Sequence, residues 1–105
     1  MGILVTIARQ VEAWYTERKE HLSKLLSNVR IGSVEPDHPG GEIGIALEGS
    51  ATVATISIFN SGLITIPAID KLSKRHFLLD HRTIAPDEDL GALLDSYVER
   101  IAGPK

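Results

Sequence analysis

A small group of acidic and histidine side chains in the second half of the chain has the residue types needed for proton transfer. His81 follows Asp80 directly, and Asp70 lies in the preceding segment. A carboxylate and an imidazole that approach each other are suited to general acid and base catalysis. No nucleophile motif and no third orienting group accompanies them, so polar residues on the wet face or rim of a sheet are the favoured interpretation.

Residues that bind metals and cofactors are sparse in the sequence. There is no cysteine, which excludes disulfides, thiolate nucleophiles and zinc sites with cysteine ligands. His76 and His81 are separated by an odd number of positions on a predicted strand, which directs their side chains to opposite faces. The glycines form no phosphate loop or dinucleotide fingerprint in the strand-to-helix setting that such motifs require. The sequence therefore predicts neither a metal nor a cofactor.

The elements that carry these residues follow from an alternation of apolar and polar side chains through residues 42–83, typical of strands that bury one face. Hairpin turns interrupt it at Gly49-Ser50, with glycine in the first central position, and at Asn60-Ser61-Gly62, with a left-handed glycine last. The predicted strands cover residues 43–48, 51–59, 63–70 and 75–84, and a short strand over 30–34 would make a fifth. The pattern predicts an antiparallel meander of four or five strands.

Two positions in the meander bear on its faces and edges. Ile56 and Ile58 are the predicted core residues of their strand, which directs Phe59 to the opposite face. The alternative is the inverted assignment, in which Phe59 faces the helices. An exposed ring at Phe59, beside Asn60 in the turn, would be an anchor for a partner. Pro67 has no backbone N–H to donate, so it indicates a sheet edge, a bulge or a late position in its strand.

Two amphipathic helices flank the meander. The first begins near Leu4, and its apolar positions recur at steps of three and four as far as Val29. Arg18 interrupts this stripe. An aliphatic stem along the core rim is the favoured interpretation, and a contact with the second helix or with a ligand is the alternative. The second helix is predicted to start at Pro86 and to keep the helical period over 90–101. We expect both helices on one face of the sheet.

Length and charge limit the possible partners. A chain of 105 residues is expected to form one α+β domain over 1–105, because one hydrophobic core is about all that such a length supports. The formal net charge of −3 gives a phosphate backbone no general attraction. No apolar stretch approaches the roughly 20 residues that span a bilayer, and the apolar first residues lack a basic signal-peptide region. We predict a cytoplasmic protein that binds neither nucleic acid nor membranes.

A local basic cluster lies near the turn before the last strand. It consists of Lys71, Lys74, Arg75 and Arg82. Such a cluster fits an acidic surface on a partner, although a solvated turn is the favoured interpretation because short charged turns are common.

The stretch Ile56-Ser57-Ile58-Phe59-Asn60-Ser61-Gly62, followed by Ile66, Ala68, Ile69-Asp70, then His81 and the final helix, resembles small bacterial immunity proteins of the TriTu type. In that family a strand ends in an aromatic residue, a polar pair and a glycine. A strand closing on an acidic residue, a histidine-bearing strand and a terminal amphipathic helix follow. The resemblance covers about residues 51–101, with Phe59 where tryptophan is expected.

The resemblance implies an immunity protein that neutralises an antibacterial toxin, of a class that acts by ADP-ribosylation, through stoichiometric binding and not through catalysis. We predict the partner-binding residues to be Phe59, Asn60, Asp70, Asp80 and His81. A generic protein-binding adaptor or secretion chaperone is the second hypothesis. An enzyme that uses Asp70, Asp80 and His81 is the third. Oligomeric state does not follow from the sequence.

Overall fold

The computed structural model describes residues 4–34, 41–59, 61–85 and 87–102. Helix α1 (Leu4–Leu25) comes first and helix α2 (Leu90–Ala102) comes last. Between them lie the strands β1 (Asn28–Val34), β2 (Glu42–Glu48), β3 (Thr52–Phe59), β4 (Leu63–Asp70) and β5 (His76–Thr83). The α+β class predicted from the sequence is confirmed.

The five strands form one open antiparallel sheet in the order β1-β2-β3-β4-β5, so every strand pairs with its neighbour along the chain. Strands β2 and β3 pair without interruption, from Glu42 opposite Phe59 to Glu48 opposite Val53. This regular register follows from the unbroken alternation of the two segments, because a slip by one residue would expose every isoleucine of the core. The meander predicted from the sequence is therefore confirmed.

Both helices pack on the same face of the sheet, here called the covered face. Helix α1 lies mainly on β1 and β2, and α2 lies mainly on β2 and β3. The helices and the covered face together bury one hydrophobic core. Its members are Ile7, Val11, Trp14, Leu22, Leu26, Ile43, Ile45, Leu47, Ala54, Ile56, Ile58, Ile64, Ile66, Ala68, Leu90, Leu94, Tyr97, Val98 and Ile101. The core positions predicted at Ile56 and Ile58 are confirmed.

Helix α1 ends earlier than its apolar period predicts. It stops at Leu25, and Val29 lies in β1 opposite Leu47 of β2. The chain leaves the helix because the amide of Ser27 donates a hydrogen bond of 2.8 Å to the carbonyl of Glu48, at the end of β2. A sheet contact distant in sequence thus overrides the local helical pattern. The prediction of a helix through Val29 was wrong at this end.

The two hairpin glycines have different roles. Gly62 has a φ of 88°, which confirms the left-handed residue predicted for the turn between β3 and β4. Gly49 is not a central turn residue, because its amide bonds to the carbonyl of Thr52 at 2.8 Å and leaves Ser50 and Ala51 in the centre. A Cβ at Gly49 would collide with the backbone carbonyl of Ile101 in α2. This glycine allows the close approach of α2, so the predicted Gly49-Ser50 turn was wrong by one residue.

A bulge interrupts the pairing of β4 with β5. Ile66 lies opposite Asp80, but Pro67 lies opposite Leu78, which leaves Leu79 as an extra residue in β5. Pro67 cannot donate to the ladder, and the bulge is one of the settings in which a sheet accommodates proline. The bulge predicted as one alternative for Pro67 is confirmed.

The bulge also overturns the predicted faces of the last strand. His76 lies opposite Ile69 and His81 lies opposite Thr65, so both imidazoles lie on the same face of the sheet. The prediction of opposite faces was wrong because it assumed unbroken alternation. Their partners in β4 are four positions apart, which separates the two histidines by about 13 Å at the usual rise of a strand.

Helix α2 begins at Leu90, later than the predicted start at Pro86, a residue that lies outside the described part of the chain. The side chain of Asp89 accepts a hydrogen bond of 3.2 Å from the amide of Ala92, which satisfies a free donor of the first turn. A capping aspartate, and not the proline, therefore sets the start of the helix.

Candidate functional site

The face of the sheet opposite the helices, here called the open face, carries every second residue of the strands. Across its centre the register aligns Arg30, Ala46 and Thr55, and nearby Gly44 lies opposite Ser57. Toward β5 it carries Val53, Phe59, Leu63, Thr65, Pro67, Ile69, His76, Leu78, His81 and Thr83. Both described helices lie on the covered face. The open face therefore presents side chains to solvent or to a partner.

The most exposed apolar side chains on the open face lie at its end near the turn between β4 and β5, whereas its centre is small and polar. Val53 is 36% exposed and Leu78 is 56% exposed. Thr55, Ser57 and Thr65 in the centre are all half-buried. Small side chains on a pleated sheet make a flat surface, and a flat centre beside an exposed apolar end is suited to packing against another protein.

Phe59 lies on the open face, on the side of β3 opposite Ile58, as the alternation predicted. Its cross-strand neighbour in β2 is Glu42, and its ring is half-buried. The ring is thus held against its neighbours while part of it remains accessible. Asn60, the second residue of the predicted anchor, lies outside the described part of the chain.

Asp80 and His81 lie on opposite faces of β5. His81 is exposed on the open face, whereas the carboxylate of Asp80 accepts a hydrogen bond of 2.5 Å from the hydroxyl of Tyr97 in α2. This hydrogen bond, together with one from the backbone amide of His81, lowers the pKa of Asp80 below its ordinary value of 3.8. Asp80 therefore stays ionised at neutral pH, and its hydrogen bond with Tyr97 connects α2 to β5 at the edge of the sheet.

Further polar contacts strengthen this junction between α2 and β5. Arg100 in α2 donates a hydrogen bond of 3.2 Å to the carbonyl of Leu79 in β5. Arg82 in β5 forms an ion pair of 2.7 Å with Glu88, in the segment just before α2. Burial and the neighbouring Asp80 raise the pKa of the Tyr97 hydroxyl. A tyrosine that holds its proton so firmly is a donor to Asp80 and not a base.

Asp70 lies far from His81 and acts locally. Its carboxylate accepts hydrogen bonds from the hydroxyl of Ser73 at 2.5 Å and from the amide of Ser73 at 3.3 Å. The hydroxyl of Ser73 is the main reason that the pKa of Asp70 is lowered. The backbone amide of Asp70, the last residue of β4, donates a hydrogen bond to the carbonyl of Arg75. His81 lies opposite Thr65, near the other end of β4. The carboxylate and imidazole pair considered for proton transfer does not form.

Arg18, the gap in the apolar stripe of α1, contacts the second helix. Its guanidinium lies 2.9 Å from the carboxylate of Asp95 in α2. The same carboxylate accepts a 2.9 Å hydrogen bond from the indole of Trp14. The contact with the C-terminal helix, which was the less favoured alternative, is therefore the one that forms.

The turn between β4 and β5 carries exposed apolar side chains that were not predicted from the sequence. Leu72 in that turn is 93% exposed, and Phe77 at the start of β5 is 42% exposed. Apolar residues on both sides of the basic stretch were visible in the sequence. The assumption that Phe77 belonged to a regular, half-buried strand concealed them.

Two further properties concern ligands and membranes. Among residues 4–34, 41–59, 61–85 and 87–102, no three histidine, cysteine, aspartate or glutamate side chains come together in a group that could hold a metal ion. In the same ranges, neither helix combines the length and the apolar character needed to cross a membrane.

Comparisons with known proteins leave the resemblance to immunity proteins as a prediction. The chain matches no family model, no curated protein and no solved structure.

Proposed function

We propose that this protein is an immunity protein that neutralises a cognate antibacterial toxin by stoichiometric binding. The observation that carries the proposal is the open face, where Val53 and Leu78 are exposed at one end and Phe59 is half-buried at the other. Large exposed apolar side chains near one another on a small protein are typical of surfaces that bind other proteins. The resemblance of residues 51–101 to TriTu immunity proteins supplies the class of partner, a toxin that acts by ADP-ribosylation.

Binding is favoured over catalysis by the positions of the residues best suited to proton transfer. Asp80 is engaged by Tyr97 on the covered face, while His81 is exposed on the open face. Asp70 is engaged by Ser73 in a turn. These side chains do not converge on one point where a substrate atom would react. An inhibitor needs only a firm scaffold and a complementary surface, and cytoplasmic localisation would let it meet a toxin that enters the cell.

A protection assay tests this proposal. The larger protein encoded by the neighbouring gene is expressed in bacteria with and without this chain, and the two proteins are then purified together. We expect that the neighbouring product alone stops growth, that co-expression restores growth, and that the two proteins elute as one complex. A neighbouring product that is harmless, or one that remains toxic without forming a complex, would refute the proposal.

Phe59→Ala tests whether the predicted anchor contributes to binding. Loss of this aromatic contact should weaken the complex by about 2 kcal/mol while the fold remains intact. Tyr15→Ala is a matched control, because Tyr15 in α1 is also a half-buried aromatic residue but lies on the covered side. The control should lose stability without losing affinity. If Phe59→Ala unfolds, the ring belongs to the core and not to the binding surface.

An adaptor or a secretion chaperone would use the same open face and is the second candidate. The protection assay separates the two functions, since a chaperone would bind the neighbouring product and leave its toxicity intact.

A further inference from the structure

The exposed large hydrophobic side chains of the described residues all lie at one end of the sheet. They are Val53, Leu72, Phe77 and Leu78. Leu72 lies in the turn that joins β4 to β5. Val53 lies opposite Ile69, which in turn lies opposite His76, so Val53 is level with the start of β5, with β4 between them. We call residues 71–78 together with Val53 the hairpin tip. Its apolar exposure is concentrated, whereas single exposed hydrophobic residues scattered over a surface would be ordinary.

Hydrogen bonds hold the hairpin tip in one shape. The carbonyl of Asp70 accepts the amide of Lys74 at 2.8 Å, and the amide of Asp70 donates to the carbonyl of Arg75 at 2.9 Å. The side chain of Asp70 accepts two further hydrogen bonds from Ser73. The exposed side chain of Leu72 therefore projects from a fixed turn, and little conformational entropy of the backbone would be lost when a partner covers it.

The hairpin tip is basic although the whole chain is acidic. Three of the 11 lysine and arginine residues occur within residues 71–75, in a chain of net charge −3. Lys71 is paired with Glu48 at 2.7 Å. Lys74 and Arg75 are exposed, and neither forms an ion pair among the described residues. The apolar surface thus has a cationic rim, which is complementary to acidic side chains.

The shape of the hairpin tip fits a cleft better than a flat surface. Leu78 and Val53 lie on the open face, whereas Phe77 lies opposite Ala68 on the covered face and is still 42% exposed. The helices pack mainly over β1, β2 and β3, so their cover thins out toward this hairpin. These apolar side chains lie on both faces of the hairpin and at its turn. Only a partner that contacts both faces, as the two walls of a cleft do, would bury all of them together.

We propose that the hairpin tip is the anchor that this protein inserts into a partner, and that the receiving site is an apolar cleft lined with acidic side chains on the toxin. The inference rests on the proposed function, because it names the chemistry of the surface that the toxin presents. The cleft buries Leu72, Phe77 and Leu78, and its acidic rim faces Lys74 and Arg75.

A protein cleft is favoured over an anionic membrane as the receiving surface. A net charge of −3 opposes approach to anionic lipid. Lys74 and Arg75, which form no ion pair with any residue that the structure describes, offer only about 1 kcal/mol each near such a surface. Apolar side chains on both faces of a rigid hairpin also suit an enclosed site more than an open interface.

Binding measurements on charge and apolar variants test the inference. Lys74→Glu/Arg75→Glu reverses the cationic rim, and Leu72→Ser removes the apolar tip. Arg9→Glu/Lys19→Glu makes the same change of charge at exposed positions on α1. Each variant is titrated against the purified neighbouring-gene product at low and high salt. Thermal unfolding confirms that each is folded, which is expected because all the changed side chains are exposed.

We expect the rim variant to bind at least about tenfold more weakly, through slower association and with a smaller dependence on salt. Leu72→Ser should also bind about tenfold more weakly, through faster dissociation. The α1 control should stay within about twofold of the wild type, as expected for charges outside an interface.

Several results would overturn the inference. If the wild type protects cells and forms a complex while both tip variants bind as tightly as it does, the proposed function stands and the anchor is elsewhere. If the α1 control weakens binding as much as the rim variant does, net charge and not the tip is responsible. Binding of the wild type to phosphatidylglycerol vesicles that is lost in the rim variant would show a membrane site instead. Failure of the wild type to bind the neighbouring product would refute both proposals.

Discussion

The covered face and the open face of the sheet differ in the size of their side chains as much as in their polarity. At its centre the covered face carries Ile45, Ile56 and Ile66, all fully buried under the helices. The centre of the open face carries Ala46 and Thr55, which are half-buried. The same strands thus build a stable core on one side and a flat, small-residue surface on the other.

In this short chain, one face of the sheet contributes most to stability, and the other face is the one proposed to bind a partner. Branched aliphatic side chains on the covered face supply most of the apolar burial. The open face can then change with little cost to the fold, because few of its side chains are needed for packing. An immunity protein, as proposed here, would use that freedom to match one toxin.

The largest expected change in the free energy of unfolding distinguishes two neighbouring residues of β3. Ile56→Ala removes a fully buried side chain from the covered face and should lower the free energy of unfolding by about 3 kcal/mol. Thr55→Ala, on the open face, should cost about 1 kcal/mol or less, chiefly through lower strand propensity. Urea denaturation of both variants provides the measurement. Equal losses would mean that the two faces share the work of stabilising the fold.

Two glycines in or next to β2 allow the same comparison between the covered face and the open face. Gly49→Ala should lower the free energy of unfolding by about 2 kcal/mol, because the added methyl group collides with the carbonyl of Ile101. Gly44→Ala is the matched change on the open face, where a Cβ meets nothing within 4 Å. It should leave stability unchanged or raise it by about 0.5 kcal/mol. Midpoints of thermal unfolding that shift equally for both would contradict the close packing of α2 at Gly49.

The smallest expected effect concerns the junction of α2 with β5. Tyr97→Phe removes the hydrogen bond to Asp80 and should cost about 1.5 kcal/mol at neutral pH. The pKa of Asp80 is lowered in the folded state, so its contribution to stability is present above 3.8 and is lost as the pH falls through the lowered value. The difference between variant and wild type should therefore narrow below about pH 4.

Denaturation curves from pH 7 down to pH 3 measure this dependence. A difference that stays constant with pH would show that Tyr97 contributes through packing alone.

Local patterns in the sequence were sufficient to predict most of the fold. The uninterrupted alternation in β2 and β3, the left-handed Gly62 and the period of α2 each have one physical solution, and each was predicted. The faces of β3 followed from Ile56 and Ile58. With those two side chains in the core, alternation places Phe59 on the side opposite the helices.

The features that the sequence did not predict depend on contacts between residues that are distant in the chain. One extra residue at Leu79 moves His76 and His81 to the same face. Pro67 indicated a bulge only as one of three alternatives, and alternation alone does not place the extra residue in β5. The end of α1 depends on a hydrogen bond between Ser27 and Glu48, and the exposure of Phe77 depends on where the helices stop covering the sheet. The hairpin tip was therefore out of reach of pattern analysis, although its basic residues were recognised.

A titration of toxin activity tests the central claim, that this protein acts by one-to-one binding through its surface. Increasing amounts of the protein are added to a fixed amount of the purified neighbouring-gene product, and the ADP-ribose transferred is measured. We predict a linear fall in activity that reaches zero at one molar equivalent. Inactivation by substoichiometric amounts would show catalysis, and activity that persists at a large excess would show that the protein is not an inhibitor of that toxin.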